Sequence, residues 1–571
     1  MKDKTALYLI KRNPLFYIAF IAFFPLAIAS TGYVNSFRFG SWNIDIWSED
    51  FGALWEIYSV ALIGVYTLIF FMFFSFEYIH LSKNSGIVEC GRATAGGNFK
   101  LYKQQYIILI LFSFIEFLIS VFFFICAYFR WNIAYTEYLV YAIEFSFLNV
   151  FLISVLGSSI GVLIGILLNR VTGYFAMLLV SVFEIIVFKF NLTSLTSNSS
   201  TEFNSYLREI INIFTSDTDR PIISQYGYSV QPYKLFTLLF WIGLCVFALA
   251  LLNETRTGNY KKIFLSSICL TLSVVCGVCA ITPSSRLYLN NSNPYSAING
   301  DIKFVGVQKS EKADFSVSEY DVLLKIKQKL TAKVIVSINN KNPGDYKFTL
   351  WSAFNVLKVT DEKGNELDFS RDGCYITVHG KNKKEKLTFE YEGFSHRFFS
   401  NSQGVYLPGH FPYYPLPGFL NIVYENERGV NFINNQFKNQ VKFNVKVQSP
   451  LKIFSNINSV GENEFQGESS TLYLYGGFVD EKEISGVKVI YPYFDGQAKV
   501  GILEQYINIG LEKKTVKKGN IVFVGPRLTS GTNERIMLFD NGCYVNSVLS
   551  FDSDDEYAPI TKPVFFEKEG E

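Results

Sequence analysis

Histidine is scarce in this sequence: His80, His379, His396 and His410 are all it has in 571 residues. No two of them stand four apart with a glutamate after the first, so the H-E-x-x-H arrangement, which holds zinc on one helix face, is absent. A G-x-x-x-x-G-K-[ST] phosphate loop is absent too, the fragments GGNFK and GDYKFT having the wrong spacing. These two absences exclude a zinc peptidase of that type and a chain that is its own ATPase. Charge of one sign is also lacking: 52 Lys and Arg against 50 Asp and Glu leave +2, which offers nothing to a nucleic-acid partner. The eight cysteines show no metal-ligand spacing. No metal and no cofactor are expected on this chain.

Apolar length is what the sequence does have. Its hydrophobic share is 49% and its mean hydropathy +0.20, and the excess lies in the first half. Seven runs approach or exceed the roughly 20 residues that cross a bilayer: 15–33, 55–78, 106–129, 139–168, 174–188, 235–252 and 263–281, the fifth being short. The first is too long for a cleaved signal. Basic residues sort the ends: Lys2, Lys4, Lys11 and Arg12 precede the first run, Lys83, Arg92, Lys100 and Lys103 follow the second, and Arg170, Arg256, Lys261 and Lys262 lie in the later turns of that side. The opposite short loops hold Arg38 and Arg130. The positive-inside tendency then predicts a cytosolic N-terminus and an extracytoplasmic region after about residue 281.

In this topology the largest cytosolic feature is the stretch SGIVECGRATAGGNFKLYKQQ at 85–105. Ser85-Gly86-Ile87-Val88-Glu89, followed by Phe99-Lys100-Leu101-Tyr102-Lys103 at the entry to the next span, resembles the coupling loop of ABC-2-type exporter permeases. The order of elements over 1–260 agrees: a basic amphipathic segment at 2–12 ending at Asn13-Pro14, and an apolar-periodic stretch, 202–214, between spans five and six. The proline usual shortly after the glutamate is replaced by Ala93-Thr94-Ala95-Gly96-Gly97. The resemblance implies that Ser85, Gly86, Glu89, Arg92, Lys100 and Lys103 form a knob seated in a groove of a separate ABC ATPase subunit, which carries the ATP and Mg, and that two permease copies, or this chain and a sister permease, work together in the lipid bilayer. The alternative for the loop is an ordinary solvated connection.

Three carboxyl groups, Glu116, Glu144 and Glu184, fall inside apolar runs, where each would cost roughly 2.5 kcal/mol or more facing lipid. Either they line a transport pathway, or they are buried structural groups near span ends. Gly157, Gly161 and Gly165 recur every four residues in the fourth run, a spacing that admits a close helix neighbour, within the subunit or across a dimer.

After residue 281 the pattern changes to short alternating runs broken by Asn, Gly and Pro, with 282–299 as a linker. The expected fold class is thus an α-helical membrane bundle, six permease spans plus a seventh anchor span, followed by an extracytoplasmic β-rich, sandwich-like region. Its divisions are 1–260, 261–299 and 300–571, the last in one or two units near 300–430 and 431–571. From Tyr320 to Gly418, YDVLLKIKQKLTAKVIVSI through VYLPGHFPYYPLPG resembles the β-domain that begins aminopeptidase-N-like (gluzincin) zinc proteases, without their zinc motif. Cys374 and Cys543 either form a disulfide or are buried free thiols. The cluster FPYYPLPG at 411–418 either grips a peptide or lipid tail or packs its rings inward.

These features predict the membrane-spanning subunit of an ATP-driven exporter in a bacterial plasma membrane, with a non-catalytic external domain; peptides or other amphipathic cargo come by analogy with the protease-like region. The rival is a membrane-anchored receptor or scaffold whose external domain binds a ligand without transport.

Overall fold

The computed structural model describes residues 9, 11, 16–23, 62–92, 99–130, 136–190, 210–211, 213–214, 232–254, 260–282, 308–340, 344–380, 385–395, 398–426, 429–493, 500–525, 536–545, 560–561 and 563–565. Most of the segment at 2–12, much of the first apolar run, most of 202–214, the loop core 93–98, Arg38, Arg256, His396 and the linker beyond Thr282 lie outside them. The chain separates into a helical unit ending at Arg286 and a β-rich unit from Leu287 onward.

The helical unit contains α1 (Leu62–Asn84), α2 (Ile87–Arg92), α3 (Phe99–Arg130), α4 (Glu137–Ser146), a π-helix (Phe147–Leu152), α5 (Ile153–Leu167), α6 (Arg170–Phe190), α7 (Pro232–Glu254) and α8 (Tyr260–Ile281). Among the described residues, four stretches are long and apolar enough to cross a membrane: Ile63–Asn84, Leu101–Cys126, Leu139–Leu167 and Pro232–Leu252. The apolar parts of α6 and α8, Arg170–Phe183 and Ser266–Ile281, are shorter. The helix of the second expected run, 55–78, continues past its expected end to Asn84. No breaker interrupts the backbone before Gly86, whose φ of +73° ends the turn in the left-handed region that glycine adopts without Cβ strain.

The glycine stripe sets how closely α1 and α5 approach. A Cβ on Gly157 would lie 2.6 Å from the Leu68 carbonyl oxygen, and one on Gly161 would lie 2.1 Å from both the Met72 carbonyl oxygen and Ser75 Oγ. Gly165 faces Ile79. The stripe is therefore filled by a helix of the same chain. Around it, Val65, Leu68, Leu152, Ile153 and Leu156 form a buried apolar core. Large apolar side chains elsewhere, such as Ile107, Leu111, Leu118 and Phe122 of α3, point outward; an apolar outer surface of this kind belongs to helices solvated by lipid.

In the β-rich unit, β1 (Phe315–Ile326) pairs antiparallel with β2 (Leu330–Asn340) and parallel with β8 (Val441–Gln448). They form the centre of a seven-stranded sheet completed by β4 (Phe354–Asp361), β7 (Lys386–Gly393), β9 (Asn458–Gly461) and β10 (Glu464–Ser469). Along β1, Tyr320, Val322, Leu324 and Ile326 are buried while alternate side chains face out, as the pleat requires. A four-stranded sheet includes β3 (Tyr346–Thr349), β5 (Phe369–Asp372) and β6 (Tyr375–Val378). Its Phe348 meets Phe389 of β7 edge-on at 4.9 Å, so the two sheets share one apolar core.

The last part is not purely β. A six-stranded sheet contains β11 (Val479–Ile484), β12 (Val487–Pro492), β13 (Ile521–Val524), β14 (Ile536–Phe539), β15 (Gly542–Val545) and β16 (Ile560–Thr561). β12 and β13 are parallel, and α9 (Val500–Glu512) lies between them in sequence. A parallel pair needs such a crossover. Leu503 and Ile507 of α9 bury against Val487, Val489, Val522 and Val545. On the sheet's other face, Ile490, Phe523 and Tyr544 join the core of the larger sheets.

Candidate functional site

At the α1–α3 connection, α2 is a single short helix that follows α1, and α1 is braced to several other helices. Gly86 turns the chain, after which Val88 buries and Glu89 and Cys90 are exposed. Ser85 Oγ donates to the Ser82 carbonyl at 3.0 Å, closing the end of α1. Lys83 Nζ donates to the Ile166 carbonyl at 3.2 Å, placing a cation on the last turn of α5, where the helix dipole favours it. Gln105 Nε2 donates to the Tyr78 carbonyl at 3.1 Å and ties α3 to α1. Arg170, at the start of α6, grips Glu77 through Nε at 3.3 Å and Nη2 at 3.0 Å, with the Tyr174 hydroxyl on the same carboxylate. Displacing the end of α1 that carries α2 therefore loads α3, α5 and α6 as well. Lys103 is exposed on the first turns of α3. Arg92 belongs to α2 and Lys100 to α3, their side chains lying outside the described set.

Deeper in the bundle, a polar seam runs along α3. Gln105, Ser113, Glu116 and Ser120 fall on one buried face together with Leu109 and Phe124, because their spacing of three or four residues follows the helical turn. Two hydrogen bonds register this face against the chain that returns through α4, the π-helix and α5. Tyr106 and Ser159 hydroxyls meet at 2.7 Å, and Ser120 and Ser146 hydroxyls at 3.0 Å. In that antiparallel register Glu116 comes level with Asn149 and Val150, inside the π-helix. Asn149 is buried and its amide donates to the Phe145 carbonyl at 3.2 Å. Both Glu116 carboxyl oxygens are buried without a hydrogen-bond partner among the described residues.

The three expected intramembrane carboxyl groups thus part company. Glu116 is fully buried. Glu144 is exposed on the same side of α4 as Val140 and Ile143, next to exposed Phe147 of the π-helix, so the structure does not gather it with Glu116 inside the helical unit. Glu184 lies in α6, its side chain outside the described set.

In the β-rich unit the aromatic cluster offers no gripping surface. Phe411, Tyr413, Tyr414 and Leu416 are buried. The Tyr391 hydroxyl donates to the Tyr413 carbonyl at 2.6 Å, Tyr320 to the Pro415 carbonyl at 2.7 Å, and Tyr413 to the Leu472 carbonyl at 3.0 Å. Burial drives the Tyr391 and Tyr413 hydroxyls well above the usual phenol range, so they stay neutral donors. Cys374 and Cys543 form no disulfide: both are buried thiols, one in the turn joining β5 and β6, the other in β15 of a different sheet. Burial pushes the Cys543 thiol up to about 12. His379 Nδ1 lies 3.1 Å from Asp345 on the surface, and His410 packs its ring against Phe398, Phe432 and Tyr544. Among the described residues no group of three or more His, Cys, Asp or Glu is arranged to hold a metal ion.

No protein-family model matches this chain, and no curated protein does. Among solved structures, the M1 zinc metallopeptidase of Deinococcus radiodurans is similar at 10% identity and a TM-score of 0.29, over 42% of this chain and 62% of the other. A substrate-bound mutant of that peptidase gives 11% identity, a TM-score of 0.29, and coverage of 41% and 62%. The chain thus spans less than two thirds of the length of these peptidases, and a TM-score this low carries no argument about activity.

Proposed function

We propose that this chain is the membrane-spanning permease subunit of an ATP-driven ABC exporter, its permease part covering 1–260, with 261–299 as seventh span and linker and 300–571 as a non-catalytic external domain. The observation that carries this reading is the bracing of α1, the helix on whose end α2 sits. A short helix with an exposed carboxylate follows α1 directly, and α1 is tied through Lys83, Gln105 and Arg170 to α5, α3 and α6, so a push on α2 is passed to α1 and distributed. A scaffold has no use for such a device.

In the mechanism we propose, a separate ABC ATPase on the cytosolic side holds the ATP and Mg. Closure of its dimer presses on α2. Glu89 pairs with a basic side chain of the ATPase groove, and Gly86 lets the knob keep its angle to α1. The load shifts α1 and α5 as one body, because the glycine stripe packs them backbone to backbone at Gly157 and Gly161, and α3 follows through Gln105. Two permease copies, or this chain and a sister permease, enclose the pathway in a bacterial plasma membrane. Glu116, Glu144 and Glu184 are its candidate polar groups, and peptides or other amphipathic molecules its candidate cargo.

Affinity purification from detergent-solubilised host membranes tests this. The intact chain is expected to bring down an ABC ATPase, and a Glu89→Arg, Gly86→Trp double variant to lose it while running as an unaltered peak on size exclusion. Absence of an ATPase from both would remove the engine and favour a receptor or scaffold.

A further inference from the structure

An ionised carboxylate at the depth of Glu116 needs a countercharge or a set of donors, and it has neither among the described residues. The elements packed on α3 bring little charge to that level. The π-helix and α5 carry no titratable side chain. On α4 stand Glu137, Tyr138, Tyr141 and Glu144, of which Glu144 is exposed. From α1, Tyr66 and Thr67 stand toward the level of Glu116, while Glu77, His80 and Lys83 lie at the opposite end of that helix. That end is registered to Gln105, about 16 Å along α3 from Glu116. The described helical segment at 16–23, whose Phe20 meets Phe112 at 4.8 Å, adds only Tyr17.

The helix facing Glu116 is also irregular at that level. Six residues, Phe147–Leu152, wind as a π-helix between two α-helical stretches, a form that occurs mostly as short insertions and often at functional sites. It carries Asn149, a buried amide with donor and acceptor. We propose that Glu116, opposite Asn149, is a proton-binding site within the membrane: the carboxyl holds its proton while α3 is packed on the π-helix and releases it to entering water when the two separate. Proton uptake is then coupled to the α3–π-helix seam, so helix movement in this unit is pH-dependent. This goes beyond the exporter reading and does not require it, because a proton site needs no ATPase.

Carbodiimides test it on the full chain in its own membranes. Dicyclohexylcarbodiimide partitions into lipid and reacts with protonated carboxyl groups: the O–H adds across one C=N bond, the proton goes to nitrogen, and the acyl group then shifts to nitrogen as a stable N-acylurea. At about pH 7, where an ordinary glutamate is ionised, peptide mass spectrometry should find the adduct on Glu116 and not on the exposed Glu89. The adduct should vanish in Glu116→Gln, which should fold as well as the parent because an amide mimics the neutral acid. A water-soluble carbodiimide with an added amine should spare Glu116 and modify Glu89. Labelling of Glu116 only near pH 5, or its reaction with the water-soluble reagent at the rate of Glu89, would overturn the proposal. A second readout follows the seam itself. Cysteines at Ser120→Cys and Ser146→Cys should cross-link with a pH dependence that Glu116→Gln alters. An identical dependence in both backgrounds would overturn the coupling.

Discussion

Substituting Gly161 by alanine sets two effects of opposite sign against each other. In a helix interior alanine is favoured over glycine by about 1 kcal/mol, which taken alone would stabilise α5. The new Cβ, however, would sit 2.1 Å from the Met72 carbonyl oxygen and from Ser75 Oγ, where ordinary contact begins at 3.4 Å. Ser75 cannot turn aside freely, because its hydroxyl donates to the same Met72 carbonyl at 3.1 Å. Relief requires α1 and α5 to move apart, loosening the buried packing of Leu68, Ile153 and Leu156. Overpacking of this kind costs about 1–3 kcal/mol, and with a backbone atom as the obstacle the upper end applies, so the clash wins. Gly501, in the first turn of α9, is the internal control: a Cβ there meets nothing within 4 Å, and Gly501→Ala should stabilise by up to about 1 kcal/mol. Thermal unfolding of the full chain in mild detergent, followed by size exclusion of heated samples, reads both. Gly161→Ala should lose its monodisperse peak at a lower temperature than the parent, with Gly157→Ala milder because its nearest obstacle is 2.6 Å away. A Gly161→Ala variant as heat-resistant as the parent would refute the close approach of α1 and α5.

Tyr391→Phe removes the hydroxyl that donates to the buried Tyr413 carbonyl, and should destabilise the β-rich unit by about 1–3 kcal/mol; an unchanged denaturant midpoint by tyrosine fluorescence would contradict that bond. Hydrogen bonds from Lys442 and Asn444 lower the Glu319 carboxyl below its ordinary range. Its contribution is therefore complete above the unfolded value of about 4.3 and disappears as pH falls through the lower folded one. Glu319→Gln should be less stable than the parent at neutral pH, with the gap closing as the pH falls through the lowered folded value; a gap independent of pH would contradict the sign. Burial should keep Cys374 and Cys543 unreactive to iodoacetamide at about pH 8 until denaturant is added. A Cys374–Cys543 cross-linked peptide in a non-reduced digest would overturn their assignment as unbridged thiols.

The division into an apolar helical half and a β-rich half was legible because hydropathy and the switch from long runs to alternation are properties of composition. The glycine stripe was legible for a similar reason: spacing by four puts small residues on one helix face whatever lies opposite. Which helix lies opposite is a tertiary matter, and only the Leu68 and Met72 carbonyls identify it as α1. Glu116 and Glu144 look alike in a window of hydropathy and differ in helical phase. Glu116 shares its face with Gln105, Leu109, Ser113 and Ser120, a readable polar stripe, whereas Glu144 falls beside Val140 and Phe147. The helix α9 was missed among strand-like neighbours, although Leu503 and Ile507, with Tyr506 between them, carry helical spacing. The π-helix has no comparable signal, since FLNVFL reads equally well as an α-helical turn. The aromatic cluster at 411–418 could not be placed from composition alone, because rings bordered by proline suit a gripping surface and a packed loop equally; the hydrogen bonds to Tyr413 and Pro415 decide it.

Cys90 provides a natural reporter for the central claim, since it is an exposed thiol beside Glu89 on α2. The decisive measurement is its labelling by a membrane-impermeant maleimide in right-side-out and inside-out vesicles of host membranes, quantified at the level of the Cys90 peptide. If α2 is a cytosolic knob seated in an ATPase, Cys90 reacts in inside-out vesicles alone, slowly while the ATPase is bound and several-fold faster once it is stripped. Labelling from the outer face, or a rate indifferent to the ATPase, would contradict the account.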